Sequence, residues 1–338
     1  MFGKFMNNYY YGKSGKGDFQ KDDLPRTRWQ LFWEMLRVRL AGLFRLNLMT
    51  FVAWLPTMIV LAQLVSGLLN LAGIISEVEL DRAAATAQQM EVYDNHLGIL
   101  NAMVFQSLLY LVPCIAITGP FQAGMAYVTR NWARDEHAFA WSDFKDAFLA
   151  NWKQGLGVSL ITGFVPLILY VGFRFYGQMS ANSVLFIVPQ MLTLLLGLLW
   201  ALALVYLYPL MVTYQLGFMT LLKNGMLLAI GRLPHTAGAR LAMAVPSLLA
   251  LFVIYFMTPY TMYALMVLAG YYILIGNGLA RFVYASVSNA VFDKFINPNI
   301  QGVEVDRGLN KDDLDDDDLD APAPVPGQDI WRPEDKQG

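Results

Sequence analysis

The sequence contains few of the residues from which metal and catalytic sites are usually built. Cys114 is the single cysteine, so no disulfide can form within the chain. The three histidines, His96, His137 and His235, lie far apart along the sequence and have no second Cys or His beside them. A Cys/His metal cluster is therefore excluded, and we expect neither a metal ion nor a cofactor.

Charged residues are also scarce, at 15% of the chain against about 25% in ordinary soluble domains. Five uncharged runs cover residues 46–76, 95–129, 155–173, 175–222 and 241–280. A bilayer-spanning helix needs about 20 apolar residues, and the last run would be about 60 Å long as one helix. A turn at Thr258-Pro259-Tyr260 would divide it into two spans. The sequence predicts an all-α polytopic membrane bundle of about six transmembrane helices.

The basic residues between these spans predict the orientation of the bundle. Residues 1–45 carry nine Lys or Arg, and the following segments carry one, four, one, three, none and two. Lys and Arg are enriched in cytoplasmic segments, and every predicted inner segment exceeds its outer neighbours. We expect a multi-pass membrane protein with both termini in the cytoplasm.

Three regions follow from this pattern. Residues 1–45 form a basic N-terminus with an amphipathic helix over 28–45, residues 46–296 form the six-span domain, and residues 297–338 form an acidic tail. The helix either lies in the lipid interface or packs against the bundle. Residues 303–338 hold 4 basic and 12 acidic residues, and this composition predicts disorder. The acidic run lacks the glycine and final glutamate of a calcium-binding loop.

Two inner segments are amphipathic and are candidates for contact with a partner protein. Residues 130–154 repeat aromatic side chains at helical spacing, and Ser142 or Asp143 is a candidate N-cap. Residues 217–232 show a similar pattern. The alternative is that both segments only tie adjacent spans together. The candidate contact residues are Phe144, Phe148, Trp152, Lys223, Asn224 and Arg232.

Inside the spans the sequence offers a helix break but no ionisable group near mid-depth. Arg174 and Arg281 lie close to the ends of their uncharged runs, which disfavours a carboxylate-based proton-coupled transporter. The sharpest predicted break is Thr118-Gly119-Pro120, with Gln122 one turn further on. A bent helix there would expose backbone carbonyls to a solute, although a purely structural kink is the simpler interpretation.

Other chemistry is not supported by the sequence. Tyr11-Gly12-Lys13-Ser14 resembles the end of a phosphate-binding loop, but Asn7 stands where the first glycine is required. The basic residues near Tyr9 precede a span and therefore predict contact with anionic membrane lipid rather than with nucleic acid. Without clustered titratable side chains there is no candidate catalytic residue, so we do not expect an enzyme.

An ordered set of short segments resembles the YesL-like family of uncharacterised bacterial membrane proteins. The likeness covers roughly residues 40–300, and the chain departs from the family between Pro56 and Gly119, in its N-terminus and in its tail. The segments are Leu46-Asn47-Leu48, Trp54-Leu55-Pro56, 118–125, 127–130, Asp143-Phe144, 148–154, 223–230 and Arg232-Leu233-Pro234.

The resemblance implies a polytopic protein of the bacterial plasma membrane whose relatives often accompany carbohydrate uptake systems, and it implies no catalytic residues. The first functional hypothesis is therefore a non-enzymatic accessory protein that engages transporter permease or ATPase subunits through its cytoplasmic loops. The second is an autonomous transporter or channel for a small neutral solute, which the helix break and the uncharged polar side chains would suit.

Overall fold

A computed structural model describes residues 25–300 and 302–309, and this part of the chain is helical with no β-strand. In these described residues nine α-helices follow one another, and two of the connections contain a short 3₁₀ turn. A π-helical segment, Tyr272–Gly276, connects the last two. The helices are α1 (Arg28–Leu80), α2 (Ala87–Asp94), α3 (His96–Ala133), α4 (Ser142–Ser180), α5 (Ile187–Thr213), α6 (Phe218–Gly231), α7 (Leu233–Phe256), α8 (Thr261–Tyr271) and α9 (Asn277–Phe295).

Six of the helical stretches in this part are long and apolar enough to cross a membrane, which confirms the predicted fold class. They are α1, α3, α4, the stretch Val184–Thr213 that contains α5, α7, and the stretch Thr258–Phe295 that contains α8 and α9. The predicted turn at Thr258-Pro259-Tyr260 is confirmed as a 3₁₀ turn between α7 and α8. These six stretches form the bundle in which the candidate site lies.

Residues 28–45 are continuous with the first predicted span instead of forming a separate helix. Thr27 caps α1 at its start, and the helix then runs unbroken for 53 residues. Leu31, Met35 and Leu43 are buried in a cluster with residues of α3 and α9. Of the two interpretations of this segment, packing against the bundle is the one that these contacts support. Residues 1–24 lie outside the described part of the chain.

Helices α3 and α4 pack so closely that their backbones lie against each other at glycine positions. A Cβ added to Gly119 would lie 2.1 Å from the carbonyl oxygen of Gly155, and one added to Gly163 would lie 2.8 Å from that of Val112. Gly155, Ser159 and Gly163 recur every four residues on α4, which is the small-residue pattern that lets membrane helices approach closely. This hairpin is the rigid centre of the fold.

The helix predicted within residues 130–154 is confirmed as the first part of α4, and it is continuous with the following span. α4 begins at Ser142, and neither Ser142 nor Asp143 caps it: the Asp143 carboxylate instead accepts a hydrogen bond from the N–H of Phe139, at 2.9 Å. The second amphipathic segment is confirmed as helix α6.

We call the end of the bundle where α1 begins and α9 ends the terminal end.

The first residues of the predicted acidic tail contact the helical bundle. Asn297–Asn299 form a 3₁₀ turn, and residues 302–309 return to the terminal end. Asp306 pairs there with Arg28, and Arg134 donates to the carbonyl oxygen of Glu304 at 2.9 Å. Local acidic composition did not indicate these partners, which come from distant parts of the chain. Residues 310–338, with the acidic run, lie outside the described residues.

Candidate functional site

A cavity of about 350 Å³ lies inside the bundle, and all six long helical stretches contribute to its wall. A site shared by every helix of a bundle is a common position for a ligand. Its polar or aromatic lining residues, in chain order, are Trp54, Thr118, Gln122, Ser159, Thr162, Tyr208, Arg240, Ser247, Tyr272, Asn277, Arg281 and Tyr284. None of the described lining residues is an aspartate or glutamate.

The π-helical segment forms part of this wall, and the side chain of Asn47 of α1 hydrogen-bonds to its backbone. The Asn47 amide donates to the carbonyl oxygens of Tyr272 and Ile273, at 3.0 and 2.7 Å, and its oxygen accepts from the N–H of Gly278 at 2.8 Å. A π-helical turn leaves backbone groups without their usual partners, and such turns are frequent at functional sites. Asn47 thus connects α1 to the π-helical segment that directly precedes Asn277 and Arg281 in the chain.

Replacing Asn47 with alanine should destabilise the protein by about 2 kcal/mol. The three backbone groups at the π-helical segment would lose their side-chain partner in a buried setting, where one unsatisfied group costs about 1–3 kcal/mol. The free energy of unfolding of the purified protein, measured by titration with a denaturing detergent, tests this.

Thr50→Val is the matched control, because Thr50 is equally buried on α1 and its hydroxyl bonds only to carbonyl oxygens of its own helix. It should leave the free energy of unfolding nearly unchanged. Equal losses in the two variants would contradict the role given to Asn47.

Arg281 enters the cavity from α9 and is held by contacts on two sides. Its Nε donates to Oε1 of Gln122 at 2.5 Å, and its guanidinium carbon lies 4.2 Å from the ring centroid of Tyr208. The Tyr208 hydroxyl is itself 2.6 Å from Oγ of Ser159. Because the guanidinium is fixed in plane and position, its remaining N–H groups have a defined direction.

Arg240 reaches the same wall from α7. Its Nη1 donates to the hydroxyl of Tyr284 at 2.9 Å, and its guanidinium carbon lies 5.6 Å from that ring. Tyr284 follows Arg281 by three residues on α9, so the two arginines converge on one helical face. Neither arginine forms an ion pair within the described part of the chain.

Two buried donors on the lining have no hydrogen-bond partner among the described residues: Nη1 of Arg281 and Nε1 of Trp54. Buried polar groups are nearly always satisfied, so each orphan donor needs an explanation. Five further buried side-chain atoms of the described chain, all outside the cavity, also lack a hydrogen-bond partner. What distinguishes the cavity is therefore its two cations without a described carboxylate. The arrangement is suited to a ligand that accepts hydrogen bonds and carries negative charge.

The predicted helix break at Thr118-Gly119-Pro120 is only partly related to this cavity. Thr118 and Gln122 line it, whereas Gly119 faces α4 in the close packing described above. α3 continues as a helix through Pro120, and the Thr118 hydroxyl donates to the carbonyl oxygen of Ile115 at 2.8 Å. The segment therefore contributes side chains to the cavity and close packing to the hairpin.

The predicted partner-contact residues differ in exposure. Phe144 is buried and Phe148 is half-buried, its ring 5.0 Å from that of Phe121, so neither forms an outward surface. Trp152 and Lys223 are exposed, and Asn224 and Arg232 are half-buried, with Arg232 stacked on Phe295. Aromatic spacing in residues 130–154 thus identifies mainly the packed face of α4.

Sequence reasoning missed the two arginines as site residues. Arg240 was counted with an inner segment and Arg281 was placed near the end of a span. In the structure, Arg281 lies fourteen residues before the end of α9, about 21 Å along the helix. The available signal was the rule that an ionisable residue within a membrane helix marks a functional site.

A second cavity, of about 450 Å³, lies between α7 and α8 near the turn at Thr258–Tyr260. Its wall is almost wholly apolar or aromatic, including Pro246, Val253 and Tyr263. Such a surface suits lipid chains and supplies no polar group that would select a ligand.

Comparison with known proteins gives one family match, on the hairpin described above. Residues 97–173, which cover nearly all of α3 and most of α4, are similar to the family described as protein of unknown function, DUF624. Searches of curated proteins and of solved structures gave no significant match. The α3–α4 hairpin, in which small residues of α4 allow close packing, is thus similar to an uncharacterised family.

Proposed function

We propose that this protein binds a small anionic solute in the central cavity and carries it across the membrane. The observation that carries the proposal is the pair Arg240 and Arg281, which line a cavity between the helices that has no described carboxylate. An unpaired charge inside a membrane protein is costly and is retained where it serves a ligand or an ion path.

The position and size of the cavity agree with this function. Ligand sites in helical bundles lie between helices and have volumes of about 300–1,000 Å³. Movement of one helix group against another would open such a site to either side. The π-helical segment lies between α8 and α9 beside the cavity, and π-helical turns are frequent at functional sites.

The charge of the cavity changes the expectation about the solute. The sequence suggested a neutral solute because no ionisable group was expected near mid-depth of a span. A neutral sugar would leave both guanidinium groups without a counter-charge, whereas an anion would compensate them. We therefore favour an anionic solute over a neutral one.

Uptake by proteoliposomes tests the proposal. Vesicles containing the purified protein should take up small organic and inorganic anions saturably, and uptake of neutral sugars should match that of protein-free vesicles. Arg281→Gln should reduce anion uptake at least about tenfold, because a hydrogen bond to a charged group is worth about 1.5–3 kcal/mol.

Arg174→Gln is the matched control for this assay. Arg174 also lies in a long apolar helix and stacks on a tyrosine ring, Tyr170, but it is not part of the cavity. It should transport like the wild type. Uptake of sugars but of no anion, or equal loss in the two variants, would refute the anion transporter.

A second candidate function is an accessory role beside a carbohydrate uptake system, as the YesL-like resemblance implies. Exposed tryptophans at the terminal end favour it, since Trp29, Trp33, Trp141 and Trp152 are each about half exposed or more. Tryptophan is enriched in protein interfaces. Purification in a mild detergent that recovers transporter permease or ATPase subunits would support this role, and recovery of the chain alone would count against it.

The proposed setting for either role is the bacterial plasma membrane, with both termini in the cytoplasm. The basic-residue counts of the connecting segments support this orientation. In a Cys114→Ser background, a cysteine at Ala84 should react with an impermeant thiol reagent in intact cells. Labelling only after lysis would reverse the orientation.

A further inference from the structure

The charge of the cavity indicates a ligand with two negative charges. Arg240 and Arg281 supply two permanent positive charges, and no described lining residue compensates either of them. A monocarboxylate would neutralise one guanidinium and leave the other uncompensated. A ligand with two negative charges would neutralise both, and a phosphate monoester carries a charge of about −1.5 to −2 on a single group at neutral pH.

The hydrogen-bonding groups point to the same class. Gln122 engages the Nε of Arg281, and the guanidinium groups of Arg281 and Arg240 reach the cavity wall from two different helices. A phosphoryl group offers three strongly accepting oxygens, so it is able to receive bonds from several directions at once. A planar carboxylate offers only two oxygens in one plane.

The rest of the wall suits a hydroxylated body attached to that group. Ser159, Thr162, Ser247 and Asn277 line the same cavity and provide uncharged donors and acceptors. A bare phosphate would fill only a small part of about 350 Å³. The volume therefore leaves room for a polyol or headgroup of similar polarity.

We infer that the cavity recognises a phosphoryl group, with Arg240 and Arg281 as its two charged ligands. This inference rests on the function proposed above, because it names the chemistry of the anion that the same cavity takes. The phosphoryl group belongs either to a soluble phosphate ester or to the headgroup of a membrane lipid.

The first test is direct binding of radiolabelled inorganic phosphate to the purified, delipidated protein. Phosphate should bind saturably with one site per chain and at least about tenfold more tightly than acetate or chloride. Arg240→Gln and Arg281→Gln should each weaken phosphate binding by a similar factor, while Arg174→Gln should not. Monodisperse gel filtration of each variant confirms that it has folded.

Addition of lipid separates the two sources of the phosphoryl group. If phosphatidic acid, which carries a phosphate monoester, displaces bound phosphate and phosphatidylcholine does not, the cavity takes a lipid headgroup. If neither lipid competes and glycerol phosphate does, the ligand is soluble. Either result supports the inference.

Two outcomes would overturn the inference, and they differ in whether they also contradict the proposed function. Acetate or chloride bound as tightly as phosphate, with the same dependence on Arg281, would refute phosphoryl recognition and leave the anion site intact. Absence of any arginine-dependent anion binding would refute the inference and the proposed function together.

Discussion

Replacing Gly119 with alanine should cost the protein about 3 kcal/mol or more of its free energy of unfolding. The added Cβ would lie 2.1 Å from the carbonyl oxygen of Gly155 and 2.9 Å from the backbone nitrogen of Leu156. The obstacle is backbone, which does not rotate aside as a side chain does. Overpacking in a tight core costs about 1–3 kcal/mol. We expect the upper end of this range or more, because α3 and α4 would have to move apart along their whole line of contact.

This expected loss of stability is opposite in sign to the effect that the helix propensities of glycine and alanine alone would give. Alanine favours a helix interior over glycine by about 1 kcal/mol, so the substitution is stabilising wherever there is space for the methyl group. Gly73→Ala is therefore the control: it lies in the interior of α1 with no atom within 4 Å of the added Cβ.

Denaturing-detergent titration of both variants, followed by tryptophan fluorescence, measures the difference. Gly73→Ala should be unchanged or slightly more stable than the wild type, and Gly119→Ala should unfold at a much lower detergent fraction. Equal stability of the two variants would mean that α3 and α4 are not packed at backbone distance.

The apolar pattern predicted the architecture well because transmembrane length is set by the bilayer. Uncharged runs and the turn at Thr258–Tyr260 gave six long helical stretches, and the structure contains them. The aromatic spacing also predicted the start of α4 near Ser142. The end of α3 was not predicted, because this helix continues past the last uncharged residue, Thr129, to Ala133. That end depends on packing at the terminal end, and composition carries no information about it.

The candidate site was predicted only in part for a related reason. Thr118 and Gln122 were chosen for a helix break, yet both line the cavity, while Gly119 serves the α3–α4 seam. Arg240 and Arg281 are separated by forty residues, and each looks like an ordinary basic residue near the end of an apolar run. Only the tertiary arrangement shows that they share a wall, since Tyr284 connects them.

The ion-pair cluster at the terminal end has the same origin in distant contacts. The Asp293 carboxylate of α9 accepts from Nη2 of Arg28 at 2.5 Å and also accepts from the amide of Asn297. Asn297 in turn accepts from the hydroxyl of Tyr214 at 2.5 Å. One carboxylate, 2% exposed, thereby ties the start of α1 and the end of α9 to the residue that follows α5.

Replacing Asp293 with alanine should therefore destabilise the protein by about 3 kcal/mol, the low end of the range for breaking a buried ion pair. The low end applies because Arg28 is 29% exposed and keeps its contact with Asp306. The same denaturing-detergent titration measures the loss. Asp293→Asn should recover part of it, because the amide oxygen still accepts from Asn297.

Asp306→Ala is the matched control, since it removes the other carboxylate that pairs with Arg28. Its side chain is 44% exposed, and exposed pairs contribute about 0–1 kcal/mol. We expect a loss several times smaller than that of Asp293→Ala. If the two losses were equal, exposure would not decide the contribution of each pair. If Asp293→Ala were neutral, the terminal end would be held together by the apolar contacts of Leu31 and Met35 alone.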